Sequence, residues 1–192
     1  DARSSLVGSE MCIRDRFNTI EDLEGYWSRE QVDISLNALL YAGVTTVLDL
    51  GNDHQRIITL RDEIASGKRL GPTIYATGAT IQRLHTINSA SDLTTTGKSE
   101  IKEILDARES AGIEIIKLYT GLYPWSARHI MVAAKKRNLL GTADFWCSNL
   151  SRDIFEVALI DGYAHGACKI ISEENALWMA DNHKFAIMTL TL

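Results

Sequence analysis

The sequence predicts an α/β fold, an incomplete TIM-like (β/α)8 barrel holding approximately strands two to seven with their helices. Helical and strand-like patterns alternate along the chain at a spacing of roughly 20 to 40 residues, which implies parallel strands joined by right-handed helical crossovers. Polar residues Lys117, Asp144 and His165 close three successive strand-like runs, at the end where such barrels keep their chemistry. The pattern opens on a helical approach and stops inside a strand after six strands, short of the roughly eight that close a barrel.

The elements follow in order. Residues 28–41 place Val32, Ile34, Leu36, Leu39 and Leu40 around a helical repeat that Gly43 stops. Val44 to Leu50 is β-branched and apolar, hence a strand, and Gly51-Asn52-Asp53 turns out of it. His54 to Ala65 reads as a helix through Ile57, Ile58, Leu60 and Ile64. Pro72 to Thr77 is the next strand, closing on Gly78. From Gln82 to Thr96 the chain is polar and unpatterned, long for a connection between a strand and a helix. A helix near Lys98 to Ser110 leads into the run Ile113 to Tyr119. Pro124 opens a helix to Arg137 at the first-turn position that suits proline. Leu139 to Asp144 is a strand, and Ser151 or Asp153 caps a helix to Leu159. A strand over Gly162 to His165, a helix from Ser172 to about Asn182 and a strand from Phe185 to Leu192 complete the pattern.

Residues 1–16 stand apart. Met11-Cys12-Ile13-Arg14-Asp15 is what the transposon-end adapter ATG TGT ATA AGA GAC encodes, and the preceding adapter bases encode Leu6 to Glu10 in the same frame. The stretch has neither the apolar region nor the cleavage pattern of a signal peptide. It is read as adapter-derived, with native sequence from about Phe17 and residues 17–192 as a partial barrel domain. It carries three basic and three acidic residues, so the net charge of −5 is the same without it.

That mild acidity gives no footprint for nucleic acid or an anionic membrane. No apolar run approaches the roughly 20 residues needed to cross a bilayer. Without Cys12 the cysteines are Cys147 and Cys168, and neither forms a Cys-x-x-Cys pair. No dinucleotide glycine fingerprint or Walker loop follows any strand. The expected partner is a small-molecule substrate, while homo-oligomerisation and compartment stay open.

Lys117 is the most informative residue, because an amine between Ile116 and Leu118 must leave the interior, shift its pKa or be chemically altered. Taken singly, Lys117 also reads as a snorkelling lysine, Asp144 as a helix cap or loop acid, and His165 as a satisfied core histidine. Jointly, at matching positions of consecutive units, they point to a metal or acid/base site. His54, His85, Tyr119 and Tyr123 are weaker candidates for substrate contact. Each also has a plain loop or packing role, and Cys147 reads as either a packing cysteine or a soft ligand.

The series Ala42-Gly43-Val44-Thr45-Thr46-Val47-Leu48-Asp49 with Gly51, Gly71-Pro72 with Ala76-Thr77-Gly78, Ile116-Lys117-Leu118-Tyr119 and Ala164-His165-Gly166 resembles the amidohydrolase superfamily. It is most similar to its imidazolonepropionase-like and prolidase-like metal-dependent hydrolases, over about Phe17 to Leu192. The resemblance implies hydrolysis of a C–N bond in an amide, cyclic amide or dipeptide-like substrate. It implies one or two divalent metal ions, with zinc favoured, and carbon dioxide to carbamylate Lys117 as a bridging ligand. His165 would then be a nitrogen ligand. Where the family has a strand-five histidine, Gly141-Thr142-Ala143-Asp144 supplies Asp144. The family's strand-one His-x-His would precede Phe17 and its strand-eight aspartate would follow Leu192, so this chain alone is expected to be inactive. The competing expectation is a non-catalytic homologue that keeps a small-molecule pocket.

Overall fold

The computed structural model describes residues 28–82, 92–94, 98–119, 122–144, 152–164 and 172–187. Helix α1 (Arg29–Tyr41) starts where the Ser28 hydroxyl accepts from the Gln31 amide at 3.3 Å, and it buries Val32 and Leu36. Capping of this kind satisfies one of the orphan amides of the first turn. Strand β1 (Thr46–Asp49) follows, then α2 (His54–Ala65), whose cap is Asp53, accepting from Arg56 N at 2.9 Å. Strand β2 (Thr73–Ala76) lies parallel to β1, Asp49 opposite Ala76.

The chain then breaks at Thr77-Gly78-Ala79 and resumes as β3 (Thr80–Gln82) in a second sheet. That sheet also holds β4 (Asp92–Thr94), β5 (Ile115–Leu118), β6 (Leu140–Ala143), β7 (Gly162–Ala164) and β8 (Phe185–Ile187), in the order β4-β3-β5-β6-β7-β8. Every strand pair is parallel. The connecting helices are α3 (Lys98–Ser110), α4 (Pro124–Lys135), α5 (Arg152–Ala158) and α6 (Glu173–Asp181).

The predicted α/β architecture is therefore present, and among the described residues the strands do not close into a barrel. Two features differ from the sequence reading. The polar stretch taken as a connection contains β4, and one predicted strand is followed by β3 across a kink. Short polar strands carry too weak an apolar pattern to be read locally.

Alternation assigns the faces of the larger sheet. Ile81, Ile116, Leu118, Ala143 and Tyr163 pack into one core with Leu105, Ile130, Met131, Phe155 and Met179 from the helices. Residues between them on each strand point the other way, onto a concave face. A second core joins β1 and β2 to the first two helices through Val47, Ile74 and Ala76 against Val32, Leu36, Ile57 and Ile58.

Two contacts set the sheet's spacing. Gly141 lies directly under the Met131 thioether, where any Cβ would overlap the sulfur. At the opposite end from the polar residues, Asp161 ties three elements together. Its Oδ2 accepts from Gly141 N at 2.8 Å, its Oδ1 pairs with Lys135 Nζ at 2.8 Å, and its carbonyl accepts from Phe185 N at 3.1 Å.

Candidate functional site

The concave face carries two rows of side chains near the carboxyl ends of the strands. Lys117 pairs in register with Thr142, Thr142 with Gly162, and Gly162 with Phe185. Ile81 pairs with Leu118, which sets Thr80 beside Lys117 at the other end of this row. One step nearer the rim, the same register aligns Gln82, Tyr119 and Asp144. Its marks are the bonds from Tyr119 N to Ile81 O at 2.9 Å and from Asp144 N to Leu118 O at 3.0 Å.

These residues are polar and yet buried. Thr80, Gln82 and Thr142 are 0% exposed, Lys117 is 3% and Asp144 is 7%. Buried polar groups cost stability unless paired, and five of them share this face, which makes it the candidate site. The Lys117 Nζ leans toward the rim and lies over the Tyr119 ring, 5.3 Å from its centroid, a cation–π distance. The Thr142 hydroxyl is buried with no hydrogen-bond partner.

The structure thus brings Lys117, Tyr119 and Asp144 together. Tyr123 stands farther out at the start of α4, stacked on Trp125 with centroids 6.0 Å apart and planes 5° from parallel. His54, at the first position of α2, turns its Nδ1 to the Arg108 guanidinium. His85, His165 and Cys147 lie outside the described residues. Three residues were not singled out from sequence: Thr80, Gln82 and Thr142. The alternation Thr80-Ile81-Gln82 was the available signal, being polar, apolar, polar at strand period.

Asp49 closes β1 and holds its own turn, accepting from Gly51 N at 3.2 Å and from the Asn52 side-chain amide. Burial pushes its carboxyl above the usual range, opposed by those two bonds and by the charge of Lys117.

A divalent metal is implied by the resemblance, and the donor chemistry can be tested against it. Carboxylation of Lys117 would turn its amine into an oxygen donor of the kind hard and borderline dications take. Thr142, in the adjacent register position, offers a buried hydroxyl of the kind a carbamate oxygen would accept from. Asp144 adds a carboxylate one position nearer the rim. The donor types fit, although among the described residues no three His, Cys, Asp or Glu side chains gather around one point.

No protein-family model matches the chain, and no curated protein matches it. Solved structures do match in fold. A Xaa-Pro dipeptidase, solved with methionine bound in its active site, is 22% identical with a TM-score of 0.62, over 83% of this chain and 46% of that one. The ochratoxinase of A. niger is 16% identical with a TM-score of 0.62, over 90% of this chain and 48% of that one. A molinate hydrolase is 18% identical with a TM-score of 0.61, over 87% and 46% respectively. Likeness at these identities establishes the fold, and the matched region spans less than half of each of those chains.

Proposed function

We propose that this chain forms part of a metal-dependent hydrolase of the amidohydrolase type, which cleaves a C–N bond in an amide, cyclic amide or dipeptide-like substrate. The observation that carries the reading is Lys117: an amine 3% exposed, at the carboxyl end of a parallel strand, among four other buried polar side chains. Hydrolases acting on other compounds share the fold, and the ordered motifs of the sequence agree with that class.

In this reading Lys117 as its carbamate, Asp144 and His165 would hold the metal. Bound there, a dication such as zinc supplies a Lewis acid that activates water and polarises the scissile carbonyl. Tyr119, beside Lys117, and Tyr123 at the start of α4 would orient a substrate carbonyl, with His54 and His85 as further candidates from the sequence. The buried Thr142 hydroxyl, next to Lys117 in register, would be available to donate to a carbamate there. Gln82, in the Tyr119 row, offers an amide that can both donate to and accept from a substrate amide.

The test is elemental analysis of the whole protein of which this chain forms part, purified and incubated with zinc and bicarbonate, with its Lys117→Met variant beside it. Retention of metal in the wild type and its loss in the variant is the expected result. Metal at background in both would sink the metal-centre reading. It would favour a homologue that binds a small molecule without catalysis, consistent with an aspartate where a histidine is expected.

A further inference from the structure

We propose that Arg108 and His54 are positioning residues: from the helix layer they clamp the kink between β2 and β3, and the clamp holds only while His54 Nδ1 can accept a hydrogen bond. Arg108 lies on α3 and is 1% exposed. Its Nη2 donates to Ala79 O at 2.9 Å and its Nη1 meets His54 Nδ1. Its Nε has no hydrogen-bond partner, and among the described residues no carboxylate pairs with it. Burial lowers its pKa to about 10, which leaves it a cation at neutral pH.

A guanidinium only donates, so the ring nitrogen facing it must be the one that carries the lone pair. His54 is therefore neutral, with its proton on Nε2. Gly78 makes room for the pair. It has φ +67°, and a Cβ there would come within 2.7 Å of both Arg108 Nη1 and His54 Nδ1. Ala79 is the residue before Thr80, so fixing its carbonyl fixes where β3 starts. That start sets Thr80 and Gln82 alongside Lys117 and Tyr119.

The groups that face His54 are Arg108 from α3, Asp53 at the cap of its own helix and Arg61 farther along that helix. Burial first, then Arg108 and Arg61, pull its pKa below 6.5, and Asp53 opposes them. A protonated ring would set an N–H and a positive charge against the guanidinium. With the folded pKa below the unfolded one, the clamp's contribution is complete above about pH 6.5 and is lost as pH falls through the folded value.

The inference rests on the concave face being the functional site, but its test does not need activity or metal. Amide hydrogen exchange is measured on the whole chain near pH 7.5 and 5.5, corrected for intrinsic rates. The probe is the Tyr119 amide, which bonds Ile81 O across β3 and β5. Relative to the β7–β8 amides, its protection should be lower at pH 5.5 than at pH 7.5. His54→Gln and His54→Asn keep an acceptor that does not titrate, and neither should show the fall. Unchanged wild-type protection at pH 5.5, or the same fall in both variants, overturns the proposal.

Discussion

Gly141→Ala is the sharpest test of how the helices set the sheet. The added methyl group would occupy the space of the Met131 sulfur and terminal methyl. Met131 is 0% exposed in the middle of the larger core, so it has no solvent-facing rotamer to escape into. Overpacking of this kind costs about 1–3 kcal/mol. Met131→Ala alone leaves a cavity and costs about 2–5 kcal/mol. In the double variant the alanine methyl group sits in the space the methionine vacated, so the Gly141 substitution should be nearly free. The two changes should therefore be coupled by about 1–3 kcal/mol, read from urea unfolding midpoints at constant m-value. Additivity within about 0.5 kcal/mol would refute the packing argument, because residues in direct contact do not behave as independent sites. The stakes reach the site, since β6 carries Thr142 and leads directly into Asp144.

Two further outcomes can be checked by unfolding. Asp161→Ala leaves the Gly141 amide without its acceptor and should cost about 1–3 kcal/mol. Asp161→Asn keeps an oxygen for that amide and loses the half-exposed lysine pairing, worth about 0–1 kcal/mol; equal losses in the two variants would show that the Gly141 bond is not what matters. For Asp49 the folded pKa is raised from 3.8, so its stabilising contribution is greatest below that value and is lost as pH rises through the folded pKa. Asp49→Asn should thus unfold no more easily than the wild type at neutral pH and should flatten the pH dependence above about 4. A neutral-pH loss of stability in that variant would contradict the sign.

Much of this architecture was legible because its causes are local. Ser28, Asp53 and Ser172 each accept from the amide three residues on, and Pro124 begins its helix. Apolar periodicity between such signals marked the strands that carry Lys117 and Asp144. The break after β2 was only half legible. Gly78 signalled an end, but the resumption at Thr80 depends on Arg108, which bonds a carbonyl 29 residues earlier in the chain. His54 followed a strand and so read as a rim residue, and nothing near it in the sequence signals its partner 54 residues away. Register is likewise non-local. That Thr142 stands next to Lys117 follows from how β5 and β6 align, and no pattern within either strand reports it.

The face that carries Lys117 also carries an aromatic ring. Gly162 has no side chain, and the Phe185 ring fills the space directly over it, in the row that begins with Thr80 and Lys117. The ring therefore lies at the level of Thr142, two strands from Lys117 in the same row. A larger residue at position 162 would have to displace that ring, so the glycine is what lets β7 and β8 pack with an aromatic on this face.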